Sequence, residues 1–289
     1  MAPSATLPPW IVIDPLLEIW LREDIGRGDR TTQALMSGGL SKKSGSWIAK
    51  ESGVIAGLPL AARVFWLLNR DLVFQPLVEE GSFVEKGRTI AQFTGDFDTL
   101  LMGERVALNL VMRSSGVASA TQKYVQAIAD LPTKFADTRK TTPGLRLIEK
   151  YASQVGGAMN HRMGLDDAAM IKDNHIAAAG GIARRIALVR QQIPYPLTIE
   201  VETESLEQVA EALKHGADII MLDNMPIATM KLAVQKIRGT SDRIKIEASG
   251  NVSLETIRSI AETGVDFISS SGPVTRSHWM DISMRLTMD

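Results

Sequence analysis

The sequence predicts an α/β protein: an incomplete α/β barrel of about six βα units, preceded by an N-terminal α+β sandwich domain. Three observations lead there. Short apolar runs alternate with amphipathic stretches through the second half of the chain. The segments SLEQVAEALKHGADII and SLETIRSIAETGVDFI, starting at Ser205 and Ser253, align without gaps at a spacing of 48 residues. Each apolar run then ends in a polar or charged cluster. Two copies of one helix–strand unit imply a repeated βα architecture and hence a parallel sheet or barrel. Six units fall short of the eight of a closed barrel. An open doubly wound sheet is the second architecture that fits.

In chain order, Pro15–Glu23 has helical apolar spacing and Asp24–Thr32 is rich in turn residues. Strand-like runs follow at Gly45–Ala49, Gly53–Ala56, Leu72–Pro76 and Thr89–Phe93, with the helix-like LAARVFWLLN between the second and third. The stretch EGSFVEKG, from Glu80 to Gly87, resembles the turn of lipoyl or biotinyl carrier domains. It lacks their modifiable lysine between methionines and reads as a tight hairpin using two glycines. Thr99–Ala129 is helix-compatible throughout, apart from Gly116. Its apolar residues lie on more than one side, as in a helix buried between two units, and a domain boundary is expected near Met112. That gives an N-terminal domain over 1–112 and a barrel over 113–274.

The barrel strands are expected at Lys134–Ala136, Ala168–Ile171, Leu197–Val201, Ile219–Leu222, Ile244–Ile246 and Phe267–Ile268. Ser205-Leu-Glu-Gln208 opens the intervening helix with a capping box and Gly216 stops it.

Composition excludes several function classes. The 289 residues include no cysteine, which removes disulfides, thiol nucleophiles, iron–sulfur centres and cysteine-ligated zinc. Lys and Arg number 32 against 33 Asp and Glu, a net charge of -1, unlike a protein that coats nucleic acid. No basic segment precedes an apolar run and no stretch of about 18 apolar residues occurs. A cytoplasmic globular protein with no nucleic-acid or membrane partner is therefore expected. HExxH, Walker A, GxSxG and GxGxxG patterns are absent, which weighs against zinc proteases, P-loop enzymes, serine hydrolases and simple dinucleotide binding.

The chemistry gathers at the strand ends. These carry Asp137-Thr138-Arg139-Lys140, Lys172-Asp173-Asn174-His175, Glu200 and Glu202 on one strand face, Asp223-Asn224, Glu247-Ala248-Ser249-Gly250 and Ser269-Ser270-Ser271-Gly272. Carboxyl ends of parallel strands converge on one rim, where ligands bind. Arg139, Lys140, Lys172 and the nearby His161-Arg162 make a cationic set suited to a multiply anionic substrate. Glu202 and Asp223, with Glu200 and Glu247 nearby, make an acidic set suited to magnesium beside substrate phosphates. Glu200 and Glu247 are read equally as ion-pair partners of neighbouring lysines. The two Ser-Gly pairs offer backbone N–H groups to a phosphate.

These residues carry a family likeness. Glu23-Asp24-Ile25-Gly26 with Gly28-Asp29 and Thr31-Thr32, DTRKTTPGLR from Asp137, GGAMNHR from Gly156, Gly164-Leu165, and IKDNHI from Ile171 resemble the quinolinate phosphoribosyltransferase family. Glu200-Val201-Glu202, Leu222-Asp223-Asn224-Met225 and Glu247-Ala248-Ser249-Gly250 extend the resemblance over nearly the whole chain. It implies that quinolinate and phosphoribosyl pyrophosphate give nicotinate mononucleotide, carbon dioxide and pyrophosphate, with Mg2+. It also implies a homodimer with a shared active site, in some members a hexamer, and a tail over 275–289 that returns to the N-terminal domain. By matching positions, Arg139, His161, Arg162 and Lys172 would hold quinolinate, with Arg105 reaching in from the partner chain. Lys140, Glu202 and Asp223 would be catalytic, the two acids also holding the metal. Lys140, Asp173, Asn174, Ser249, Gly250, Ser271 and Gly272 would bind the phosphoribosyl donor.

The residue chemistry suits that reaction. Two substrate carboxylates match the cationic set, and attack by a ring nitrogen needs alignment more than a general base. A carboxylate such as Glu202 or Asp223 stabilises oxocarbenium character at the ribose carbon. One stretch departs from the family. Where many members have Gly-Ala-Leu-Thr-His-Ser, this chain has SSGPVTRS from Ser270, with Arg276 in the histidine's place. Two other readings exist: a paralogous transferase-like protein of the type associated with molybdate transport, and a non-catalytic metabolite-binding regulator. The intact KTTPG and NHR runs and the full set of charged rim residues disfavour both.

Overall fold

The computed structural model describes residues 5–35, 42–172 and 181–287. The chain divides into two compact units. The first comprises residues 1–122, 142–157 and 276–289, and the second comprises residues 123–141 and 158–275.

The first unit holds a four-stranded antiparallel sheet and helices packed on it. Its strands are β1 (Lys42–Ala49), β3 (Val73–Pro76), β5 (Thr89–Asp96) and β12 (Ile282–Leu286), in the order β12-β1-β5-β3. Alternation puts Trp47 and Ala49 of β1 and Ala91 and Phe93 of β5 on the buried face, with Trp47 opposite Ala91. Trp47 meets Phe74 edge-on at 5.2 Å, and Phe65 stacks on Phe93 at 6.2 Å. Helix α1 (Trp10–Ile25) buries Ile13, Leu17 and Leu21, one residue per turn. The Arg63 guanidinium of α3 (Leu58–Leu68) grips the Asp14 carboxylate at 2.8 and 2.6 Å, joining the two helices. The end of the chain returns to this unit through β12, whose Leu286 pairs with Gly45.

The Glu80–Gly87 segment is a hairpin turn, with β4 (Phe83–Val84) antiparallel to β2 (Gly53–Val54). Its Glu80 carboxylate accepts from the Gly57 and Leu58 N–H groups at the start of α3 and from the Tyr151 hydroxyl. Burial pushes the Glu80 carboxyl above its usual range.

Helix α4 (Phe97–Ala127) runs unbroken through Met112, and the division between units falls after Gln122. Gly116 inside it has a steric reason. A Cβ there would lie 2.0 Å from the His278 carbonyl oxygen, so only glycine lets the returning tail approach.

The second unit is an all-parallel six-stranded sheet, the incomplete barrel. Its strands are β6 (Lys134–Ala136), β7 (Ala169–Ile171), β8 (Ile199–Thr203), β9 (Ile219–Asp223), β10 (Lys245–Ser249) and β11 (Phe267–Ser269). They lie in the order β6-β11-β10-β9-β8-β7, and the chain winds one strand at a time from β7 to β11. Val201, Ile220, Leu222, Ile246, Ala248 and Ile268 build its core.

The internal repeat has a structural counterpart. Asp218 and Asp266 occupy the same place in the two copies, each just before a strand. Asp218 accepts from the Ile199 N–H (2.7 Å) and Arg190 (2.8 Å), and Asp266 from the Ile246 N–H (2.7 Å) and Arg238 (2.6 Å). Each carboxylate joins the start of the neighbouring strand to the preceding helix. The copies differ at their helices: Ser205 caps Leu206–Lys214 by accepting from the Gln208 N–H, whereas the later helix is only Ile257–Ala261. Among the described residues no helix is long and apolar enough to cross a membrane.

Candidate active site

Parallel pairing sets the carboxyl ends of the barrel strands level. Thr203 stands opposite Leu222, Asp223 opposite Ser249, and Ser269 opposite Ala136. A cavity of about 550 Å³ opens there. It brings together Arg139, Lys140, His161, Arg162 and Lys172 of the cationic set with Glu202 and Asp223 of the acidic set, beside Glu247, Ser249, Gly250, Asn251 and Ser269.

The NHR segment is placed by Asp137. This buried carboxylate accepts from Asn160 Nδ2 at 2.6 Å and from the His161 N–H at 2.8 Å, while the Asp137 N–H donates to the Met159 carbonyl at 3.0 Å. Asp137 therefore latches Asn160–Arg162 onto the end of β6, a role its place in a strand-end cluster did not reveal. Arg162 donates to the Ala168 carbonyl at 2.8 Å and approaches Met170 Sδ at 3.7 Å. Burial and then the nearby Arg139 charge lower its affinity for its proton. Two crowded, partly desolvated guanidinium groups call for an anionic ligand.

His161 lines the cavity and is also bonded within the protein. Its Nδ1 accepts from the Arg162 N–H at 2.7 Å and so carries no hydrogen. The ring hydrogen then sits on Nε2, which faces Glu200 Oε2 at 3.2 Å and Glu247 Oε2 at 3.6 Å. Both ring nitrogens are engaged within the protein. Burial first, and then the Glu200 carboxylate, push the Glu247 carboxyl up to about 7. Ligand atoms of His161, Glu200 and Glu247 lie within 4.8 Å of one another, as a metal would require.

Glu200 and Glu247 thus pair with His161, and the lysine partner belongs to Glu202. Lys172 Nζ lies 2.9 Å from Glu202 Oε2. Asp223 accepts from Asn224 Nδ2 at 2.8 Å. Glu202 and Asp223 offer oxygen donors only, the chemistry that suits Mg2+.

Some expected residues lie elsewhere. Ser271 and Gly272 do not line the cavity. Two residues after β11 the chain enters the short helix Gly272–Thr275, Gly272 is buried beside the Tyr124 hydroxyl, and Ser269 faces the cavity. Asp173 and Asn174 fall outside the described residues. Arg105 belongs to the first unit, in a separate cavity of about 410 Å³ with Trp20, Glu23, Asp24 and Arg113.

Comparisons with known proteins place the whole chain in one family. Residues 29–115 match the model of the quinolinate phosphoribosyl transferase N-terminal domain, and residues 117–285 match that of its C-terminal domain. A probable nicotinate-nucleotide pyrophosphorylase (carboxylating) of Synechocystis is 59% identical over 99% of this chain and 96% of its own length. A Bacillus subtilis protein of the same description is 43% identical over 94% of this chain and 93% of its own length. The crystal structure of NadC from Streptococcus pyogenes superposes with a TM-score of 0.92 at 42% identity, over 98% of this chain and 100% of the other. This chain belongs to the quinolinate phosphoribosyl transferase family.

Proposed function

We infer that the protein is a decarboxylating quinolinate phosphoribosyltransferase, a pentosyltransferase of NAD biosynthesis. It transfers the phosphoribosyl group of phosphoribosyl pyrophosphate to the quinolinate nitrogen and releases carbon dioxide and pyrophosphate, leaving nicotinate mononucleotide. The observation that carries this reading is the single cavity that gathers Arg139, Arg162 and Lys172 with Glu202 and Asp223. Arg139, Arg162 and Lys172 suit the two quinolinate carboxylates. His161 contributes as a brace, its Nδ1 accepting from the Arg162 N–H. Lys140, Ser249 and Gly250 suit the donor phosphates.

Glu202 and Asp223 are the residues that would hold Mg2+, which when bound neutralises charge on the pyrophosphate leaving group. The chain's own work is alignment. The cations fix the ring so that its nitrogen faces the ribose carbon, and a carboxylate near that carbon favours its developing positive charge. After transfer, the carboxylate on C2 leaves as carbon dioxide, its bonding pair stays on C2 beside the cationic ring nitrogen, and a proton replaces it.

The reading includes a homodimer, in which Arg105 of one subunit serves the cavity of the other, and a cytoplasmic location, which suits a chain without cysteine. Mixing Arg105→Ala and Lys172→Ala proteins tests the shared site. Exchange of subunits should restore activity, and no recovery after demonstrated exchange would refute sharing. The activity itself is tested by incubating the protein with quinolinate, phosphoribosyl pyrophosphate and Mg2+ and separating the products. Nicotinate mononucleotide and pyrophosphate should appear in equal amounts, and unchanged quinolinate would refute the assignment.

A further inference from the structure

Asn224 and Asn251 are the non-glycine residues with positive φ among the described residues, at 51° and 48°. Asparagine tolerates this region better than most residues, yet such conformations persist only where their surroundings impose them. Both follow strand ends at the cavity, Asn224 directly after β9 and Asn251 two residues after β10.

Asn224 makes three bonds here, two of them across to the end of β10. Its backbone N–H donates to the Ser249 carbonyl at 3.0 Å, its Nδ2 donates to Asp223 Oδ2 at 2.8 Å, and its Oδ1 accepts from Asn251 Nδ2 at 3.1 Å. The amide can point only one way, nitrogen toward the carboxylate and oxygen toward Asn251. Gly250 fits beneath it: a Cβ at Gly250 would lie 2.2 Å from Asn224 Oδ1, at a φ of 86° that itself favours glycine. Among the described residues, Asp223 Oδ1 accepts no hydrogen bond, so the brace restrains one oxygen of Asp223 and leaves the other for a ligand.

We propose that Asn224 is a positioning residue for the phosphoribosyl donor, acting through the Asp223 carboxylate. This rests on the activity assigned above. Ribose hydroxyls and phosphate oxygens need donors and acceptors in fixed places, and a freely rotating Asp223 would lose orientation without losing charge.

Two variants test it. Asn224→Gly keeps the positive φ without strain and removes the side chain. Asn224→Asp keeps the shape and sets a second carboxylate against Asp223. Binding of phosphoribosyl pyrophosphate with Mg2+ and binding of quinolinate are measured separately by calorimetry, beside the KM of each. Asn224→Gly should weaken donor binding about ten-fold, and Asn224→Asp should weaken it further, with quinolinate binding within about two-fold. In an Asp223→Ala background the same Asn224→Gly change should cost less than about two-fold, because its partner is gone. Unchanged donor binding in both variants, equal weakening of both ligands, or full additivity with Asp223→Ala would overturn the proposal. A wild-type protein that makes no nicotinate mononucleotide refutes the assigned activity, whereas an active wild type with donor-insensitive Asn224 variants refutes this inference alone.

Discussion

The Lys172 ammonium lies 2.9 Å from the Glu202 carboxylate, so one ion pair joins the cationic and acidic sets of the cavity. The Lys172 side chain is 46% exposed, and such a pair contributes at most about 1 kcal/mol. Lys172 can therefore leave Glu202 for a substrate carboxylate at little cost, and the release frees Glu202 for its own work. Lys172→Ala is expected to weaken quinolinate binding about ten- to hundred-fold by calorimetry, with the melting temperature nearly unchanged.

The tautomer of His161 has its own readout. With Nδ1 accepting the Arg162 N–H, nitrogen-15 NMR of the histidines should find the hydrogen of the neutral His161 ring on Nε2 rather than on Nδ1. A neutral ring with its hydrogen on Nδ1 would contradict its bracing of the Arg162 backbone.

The Glu200–Glu247 floor makes stability depend on pH in a stated direction. The folded Glu247 carboxyl is raised to about 7 from an ordinary value near 4.5, so the folded state holds a proton that the unfolded chain releases. That contribution is fully present below about 4.5 and is lost as pH rises through about 7. Between those limits wild-type thermal stability should fall relative to Glu247→Gln, whose amide is neutral throughout. Parallel pH profiles for the two proteins would contradict a raised Glu247 carboxyl.

The architecture was legible because its signals are local. Apolar runs marked β6 to β11, and the offset between the Ser205 and Ser253 segments announced a repeat whose Asp218 and Asp266 then adopt the same bonds. The rim was legible because parallel strands carry their carboxyl ends to one place. Depth was not. Alternation put Glu200 and Glu202 on one face of β8, yet Glu200 is buried against His161 while Glu202 reaches Lys172. Sequence also could not show that the chain buries Gly272 shortly after β11, or that Asn224 and Asn251 hold left-handed backbones. Those facts depend on where neighbouring strands end, which no single segment encodes.

Gly116 supplies a stability test away from the cavity. A methyl group there meets the His278 carbonyl oxygen at 2.0 Å, which backbone movement alone relieves. Gly116→Ala should therefore destabilise the protein by about 1–3 kcal/mol in denaturant titrations, although alanine normally favours a helix. An unchanged or raised midpoint would contradict the close approach of the tail.

The central claim, that the strand-end cavity couples phosphoribosyl transfer to loss of one particular carboxylate, is tested most directly with quinolinate carrying a carbon-13 label in the carboxylate on C2. With phosphoribosyl pyrophosphate and Mg2+ present, the label should leave as carbon dioxide, mole for mole with nicotinate mononucleotide, and no labelled carbon dioxide should form without the donor. Label retained in the nucleotide, or carbon dioxide released in the donor's absence, would contradict it.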